Sequence, residues 1–316
     1  MFQLLKPNFY FDFMRLTKPA YILSALMIAA SIFTLSTKWL NWGLDFTGGT
    51  LIEVGFEKPA DLPQIREALA AKGFGDAIVQ NFGTARDVMV RLRPRDDLKG
   101  ELLGTQILDA IKAGTGQEVE MRRIEFVGPN VGEELTEAGG LAILVSLICI
   151  LLYVSLRFEW RLATGAVMSL AHDVIITLGI FSLFQIEVDL TIVAALLTVV
   201  GYSLNDTIVV FDRVRENFRK MRKGDSADIM NESISQTLSR TIITSGTTLF
   251  VVIALFLQGG AMIHGFAAAL LIGITVGTYS SIYVASAIAL SLGLTREHLL
   301  PPPPVDKEGE EFDAMP

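Results

Sequence analysis

The stretch LTIVAALLTVVGYSLNDTIVVF, residues 190–211, holds a single charged side chain, Asp206. An α-helix rises 1.5 Å per residue, so about 20 mainly apolar residues cross a hydrocarbon layer of about 30 Å. Five other blocks have the same length and character: residues 20–37, 139–156, 162–184, 238–257 and 262 to about 293. Composition agrees, since 51% of the side chains are hydrophobic and only 19% charged, too apolar for an ordinary soluble domain. The reading is a polytopic α-helical membrane protein with six transmembrane helices.

Lys and Arg in short loops set orientation, because they stay on the cytoplasmic side. Lys6, Arg15 and Lys18 precede the first block, Arg157 and Arg161 flank the second loop, and Arg213, Arg215, Arg219, Lys220, Arg222 and Lys223 crowd the loop 212–237. The alternate short loops, 185–189 and 258–261, have none. Both termini are therefore expected in the cytoplasm, with residues 1–19 as an N-terminal segment and residues 20–40 as the first crossing, retained as an anchor. Residues 41–137 lie outside, and residues 138–293 form a five-helix bundle. Residues 294–316, with four consecutive prolines and then acidic side chains, read as a disordered tail.

The external segment alternates in a way that suggests a second fold. NWGLDFTGGTLIEVGF, from Asn41 to Phe56, is a turn-rich opening feeding a strand with Ile52, Val54 and Phe56 on one face. Asp61 can cap a helix striped by Leu62, Ile65 and Leu69, with Gln64 reaching back. Strands 77–82 and 87–93 follow around a turn at 83–86, the second with Val88, Val90 and Leu92 inward. A helix on Leu103, Ile107 and Ile111 and a strand on Val119, Met121 and Phe126 complete the order βαββαβ, an α+β ferredoxin-like sandwich. That fold serves many functions, and this copy has no His and no Cys. Gly48 and Gly49 read as a tight turn, and with Pro129 they are candidate hinges between domain and membrane.

A charge at bilayer depth costs about 3 kcal/mol on insertion scales, so intramembrane ionisable residues are functional candidates. His172 and Asp173 in the third crossing, Asp206 in the fourth and Arg240 at the start of the fifth are such residues. Helical spacing aligns Ser169, Asp173 and Thr177 on one face, Val199, Ser203 and Asp206 on another, and Gln236, Arg240, Thr244 and Thr248 on a third. The three stripes should meet inside the bundle, with Asp206 and Arg240 at matching depth and able to pair, and His172–Asp173 as a buried pair. His264 reads as interfacial. Gly265, Ala269, Gly273, Gly277, Ser281, Ala285 and Ala289 recur every fourth residue of the sixth helix, a ladder suited to close helix packing. Cys149, the one cysteine, reads as a small core hydrophobe.

The formal net charge of −8 and the lack of a basic, aromatic-lined face argue against nucleic acid. No phosphate loop, nucleophile elbow, metal-ligand set or dinucleotide fingerprint occurs, so no catalytic residue, metal or cofactor is assigned. Work must come from an ion gradient or from a partner.

The stretches NWGLDFTGGTLIEV (41–54), RFEWRLATGAV (157–167), AHDV (171–174), GYSLNDTIVVFDRVREN (201–217) and SRTIITSGTTL (239–249) resemble the SecF family, smaller partners of SecD in bacterial protein export. The resemblance runs from about residue 12 to residue 295. It implies half of a resistance-nodulation-division-type fold, completed by SecD, in the bacterial cytoplasmic (inner) membrane. It further implies association with the SecYEG channel and YajC, contact with exported unfolded polypeptide and membrane lipid, and use of the proton-motive force, with H+ as coupling ion. Asp206 and Arg240 then match the positions tied to proton movement, with His172 and Asp173 as further candidates. Alternatives are a half-transporter for a small molecule or lipid, a structural assembly subunit, and an intramembrane aspartyl protease built on Asp173 and Asp206.

Overall fold

A computed structural model describes residues 10–94, 101–221 and 223–299. A short turn, Met14–Leu16, leads into α1, Thr17–Thr37. The chain then forms β1 (Asn41–Trp42), a single helical turn α2 (Leu44–Thr47), and β2 (Gly49–Phe56). The elements α3 (Leu62–Ala71), β3 (Ile78–Phe82), β4 (Thr84–Leu92), α4 (Glu101–Thr115) and β5 (Val119–Val127) follow. The long helices α5 (Pro129–Arg157), α6 (Trp160–Phe184), α7 (Leu190–Lys220), α8 (Ser226–Gln258) and α9 (Ala261–Ser291) make up the rest, with a two-residue strand β6 (Glu187–Val188) between α6 and α7. The tail expected at 294–316 lies, beyond Leu299, outside the described residues.

The α/β domain is a four-stranded antiparallel sheet in the order β3-β4-β2-β5, with α3 and α4 on one face. Period-two alternation places Ile52 and Val54 of β2 and Val88, Val90 and Leu92 of β4 on that face. They pack against Ile65 and Leu69 of α3 and Leu103, Ile107 and Ile111 of α4, each buried side chain contributing about 1.5–3 kcal/mol. The Asp61 carboxylate accepts the Gln64 N–H at 3.3 Å, but the Gln64 side chain donates to the Gly114 carbonyl instead of closing the cap box. The turn expected at 83–86 shrinks to Gly83, whose φ of +78° lets β4 start at Thr84. Along β5 the register shifts opposite Glu53 and Val54, and Met121 and Phe126 stay partly exposed at the sheet edge.

Six helices are long and apolar enough to cross a membrane: the one spanning Met14–Thr37 and the five from α5 to α9. Around them lie two apolar cores. One joins α5–α9 through Val154, Leu162, Phe211, Ile234 and Ala285; the other, nearer the α/β domain, joins α6–α9 through Phe181, Val199, Val252 and Ile274. Hydroxyl and ionisable side chains occupy the layer between them, as the next subsection describes.

Three expectations shift. The loop at 212–237 is mostly helix, because α7 continues to Lys220 and α8 begins at Ser226, capped by the Asp225 carboxylate on the Asp228 N–H. Residues 129–137 are the start of α5, continuous with the second crossing, with Pro129 in the first turn where its missing N–H costs no bond. Cys149 is exposed on α5. That helix is apolar all round, so periodicity could not say which side turns outward.

A strap fastens the domain to the bundle. β1 pairs in parallel with β6, Asn41 beside Glu187 and Trp42 beside Val188, and the Gly43 N–H donates to the Val188 carbonyl at 2.8 Å. The Asp45 carboxylate accepts the Leu190 N–H at 3.0 Å, and the Asp189 carboxylate accepts the Ile192 N–H at 2.9 Å. Two acids thus satisfy free donors at the head of α7, where the helix dipole also favours negative charge. Arg91 of β4 lies 3.3 Å from the Glu187 carboxylate and donates to the Thr47 hydroxyl at 3.0 Å. The strap enters β2 through Gly48 (φ +63°) and Gly49 (φ +119°), where a Cβ on Gly49 would stand 2.2 Å from the Leu92 carbonyl oxygen. Pro129 and Gly132 of α5 close on Gly48 from the other side. All three hinge candidates therefore meet at one close-packed crossing.

Candidate functional site

The polar layer begins with α7. Its spacing puts Val199, Ser203, Asp206 and Thr207 on the buried side, with Asp206 only 3% exposed. The Asp206 carboxylate accepts a hydrogen bond from Ser245 of α8 at 3.2 Å, and the Ser245 oxygen lies 2.9 Å from the Thr278 hydroxyl of α9. Thr241, one turn from Ser245 on α8, is buried with a hydroxyl that has no hydrogen-bond partner. This is the first cluster.

Arg240 is not part of it. Its guanidinium is near enough to pull electrostatically on Asp206, but no ion pair within 4.0 Å joins the two among the described residues, and Arg240 is exposed. The reason is rotational. The stripe Gln236–Arg240–Thr244–Thr248 is exposed or half-buried, and the face of α8 that packs inward is one residue on, at Thr237, Thr241 and Ser245.

α6 builds the second cluster. Ser169, Asp173 and Thr177 are buried together, as one helical face. His172 Nδ1 lies 2.9 Å from one Asp173 carboxylate oxygen, and Nε2 lies 3.2 Å from the Ser24 hydroxyl of α1. The other Asp173 oxygen accepts from Ser203 of α7 at 2.6 Å and from Ser280 of α9 at 2.8 Å. Ser24 also meets the Tyr279 hydroxyl at 3.1 Å, and that hydroxyl donates to the Ala20 carbonyl at 2.8 Å. Four helices are thereby tied to one carboxylate.

Asp173 and Asp206 keep separate partners, so the two carboxylates do not share a proton as an aspartyl protease dyad must. The clusters still adjoin, because Ser203 and Asp206 are one turn apart on α7 and Thr278 and Ser280 stand two residues apart on α9. Sequence reading did not single out Ser24, Ser245, Thr278, Tyr279 or Ser280. His264 sits apart from both clusters, exposed, with its ring stacked 4.0 Å from that of Phe256.

The small-residue ladder of α9 is what lets these helices close. A Cβ at Gly273 would fall 2.3 Å from Val199, one at Gly277 3.0 Å from Ser203, and one at Gly265 3.2 Å from Ile192. Ala269, Ser281, Ala285 and Ala289, the other rungs, are fully buried. At the far end α6 supplies the glycine: a Cβ at Gly165 would stand 2.5 Å from the Ala285 carbonyl oxygen. On α7 a second stripe, Thr191, Ala194, Thr198, Gly201 and Asn205, is exposed.

Among the described residues no group of three or more His, Cys, Asp or Glu side chains could hold a metal ion.

Two family models match the chain. "Protein export membrane protein SecD/SecF, C-terminal" covers residues 107–295, and "SecD/SecF GG Motif" covers residues 33–60, the segment that contains the strap. The chain is 81% identical over 316 residues to the protein translocase subunit SecF of Vibrio alginolyticus, with 100% of each covered. It is 54% identical to that of Escherichia coli O157:H7, over 96% of this chain and 94% of the other. It also superposes on the crystal structure of SecDF, a translocon-associated membrane protein from Thermus thermophilus, with a TM-score of 0.83 and 39% identity over 92% of its length. A structure of SecDF in a super-membrane-facing form gives a TM-score of 0.65 at the same identity and coverage. The chain spans 40% of the length of each of those SecDF chains.

Proposed function

The chain belongs to the SecD/SecF family of protein-export membrane proteins, and from that premise we propose that it promotes export of unfolded polypeptides together with a SecD partner, drawing on the proton-motive force through Asp206. The observation that carries this reading is a carboxylate 3% exposed inside a membrane bundle whose hydrogen-bonding partner is a neutral hydroxyl. Holding such a group charged is costly, so it is suited to take up and release a proton as its surroundings change. Thr241, buried one turn from Ser245 on α8 with an unused hydroxyl, offers a next station for that proton.

The partner reading has its own support. A stripe with two threonines, a glycine and an asparagine on α7, with exposed Arg240 on α8, is poorly suited to lipid and well suited to another polar, small-residue helix. Since this chain matches less than half of a SecDF chain, a SecD subunit is the natural source of that helix. The basic loops favour an inner-membrane protein with both termini in the cytoplasm and the α/β domain outside, where exported chain emerges. SecYEG and YajC are further partners in this scheme. The chain acts as a translocase subunit, with no enzyme activity and no cofactor besides the coupling ion.

Export should be measured in inverted vesicles carrying the complex with wild-type chain or Asp206→Asn. The variant is expected to lose the gradient-driven part of export under an imposed proton gradient and to keep the part that runs without one. Normal gradient-driven export in Asp206→Asn would overturn the assignment. Loss of the wild-type response when a sodium gradient replaces the proton gradient identifies the ion as H+; a response to sodium alone would overturn that identification.

A further inference from the structure

We infer that the strap from Asn41 to Gly49 hands displacement of α7 to the sheet of the α/β domain, with Asp45 and Arg91 as its positioning residues. This inference rests on the reading of Asp206 as the ion site. Covalently the domain is joined to the bundle through α1 and α5, and neither helix carries Asp206. The strap supplies a direct route. α7 is one unbroken helix, and Asp206 lies about 24 Å along it from Leu190 at 1.5 Å per residue. A helix of that kind moves as a rod, so a shift at Asp206 reappears at its head.

Three attachments wait there. Asp45 holds the Leu190 N–H, β1 is paired with β6 in the turn just before α7, and Arg91 spans from β4 to Glu187. Arg91 and Glu187 are 15% and 22% exposed, sheltered enough that solvent does not dissolve the pair. The strap then runs straight into β2, which lies between β4 and β5 in the sheet. At the junction the Gly49 backbone touches Leu92 so closely that no side chain fits, which leaves little room for slack. Short, multiply bonded and sterically confined, the segment is built to transmit movement.

The test separates coupling from folding. In proteoliposomes holding the full complex, ion flux during export and gradient-driven export are measured together for Asp45→Ala, Asp45→Asn, Arg91→Glu and the double variant Arg91→Glu/Glu187→Arg. Removing a hydrogen bond or pair of this kind is expected to lower gradient-driven export about five-fold in Asp45→Ala and Arg91→Glu while ion flux stays near wild type. Asp45→Asn, which keeps an acceptor oxygen, and the charge-reversed double variant should restore export. Undiminished export in Asp45→Ala and Arg91→Glu overturns the inference, as does a parallel fall of flux and export, which would make the strap only structural. Asp206→Asn measured alongside keeps the outcomes distinct: normal export there defeats the ion-site reading itself, whatever the strap variants do.

Discussion

Asp206 receives its hydrogen bond from Ser245 at 3.2 Å, and the arginine five residues earlier on the same helix as that serine, Arg240, faces outward. Five residues of α-helix turn through about 140° beyond a full turn, so Ser245 and Arg240 cannot both point at α7. In this chain alone the carboxylate therefore has a hydroxyl partner, and Arg240 acts on it only through space.

Ser245 should accordingly matter to ion-driven export. A hydrogen bond to a charged group contributes about 1.5–3 kcal/mol, so Ser245→Ala is expected to slow gradient-driven export about ten-fold. Ser245→Thr keeps the hydroxyl and should stay close to wild type. Vesicle export at matched protein levels decides the matter; equal rates for Ala and Thr would show the bond to be incidental.

The ladder on α9 predicts a contrast among glycines. At Gly273 a bare Cβ already overlaps Val199, so Gly273→Ala should lower thermal stability by about 1–3 kcal/mol, and Gly273→Leu should prevent the bundle from closing. Gly246 of α8 has nothing within 4 Å of the same position, and Gly246→Ala should leave melting unchanged or slightly raised. Melting of the detergent-purified chain would expose the error if both alanine variants behaved alike.

The exposed stripe of α7 gives a different pattern. Gly201 also has nothing within 4 Å of the place a Cβ would take, and Asn205 is exposed, so Gly201→Leu and Asn205→Leu should leave melting of the isolated chain within about 0.5 kcal/mol of wild type. If a SecD helix packs there, both should sharply reduce the SecD recovered with the chain. Full recovery with both substitutions would place the partner on another face.

What could be read without the fold follows a physical divide. The six apolar blocks and the alternation of Ile52, Val54, Val88, Val90 and Leu92 are local patterns, and α6 shows its inward stripe because Ser169, Asp173 and Thr177, with His172 beside them, stand out in an otherwise apolar run. α8 is ambiguous because it carries two adjacent polar stripes, and only contact with α7 and α9 selects Thr241 and Ser245 over Arg240 and Thr244. Ser24 leaves no trace, since an isolated hydroxyl in an apolar helix has no period, and Tyr279 and Ser280 fall in a run of four hydroxyl residues, Thr278 to Ser281, that covers every side of α9 and so marks no single face. The strap is hidden for another reason. Two residues at 41–42 pair with two at 187–188, and a bridge that short and that distant in sequence has no local signature.

Glu187 makes the strap sensitive to pH, and the sign follows from its surroundings. Burial pushes its carboxyl above the usual value of 4.5; the Arg91 guanidinium opposes that, while Asp189 and Asp45 add to it. Burial wins, so the folded chain holds the Glu187 proton more tightly than the unfolded chain does. The contribution to stability is then fully present below about pH 4.5 and is lost as pH rises through the raised folded value. Glu53, on the neighbouring sheet face, is raised by burial as well and acts in the same direction, so the wild type must be compared with a variant that lacks only the Glu187 titration. Glu187→Gln keeps an oxygen for Arg91 and has no proton to lose. Thermal melting or limited proteolysis at the strap, followed from about pH 4.5 upward, should show the advantage of wild type over Glu187→Gln shrinking as pH increases. Arg91→Gln removes the adjacent cation that favours the charged carboxylate, and should steepen the loss and carry it to higher pH. A wild-type curve parallel to that of Glu187→Gln across the whole range would mean that Glu187 does not titrate in the strap.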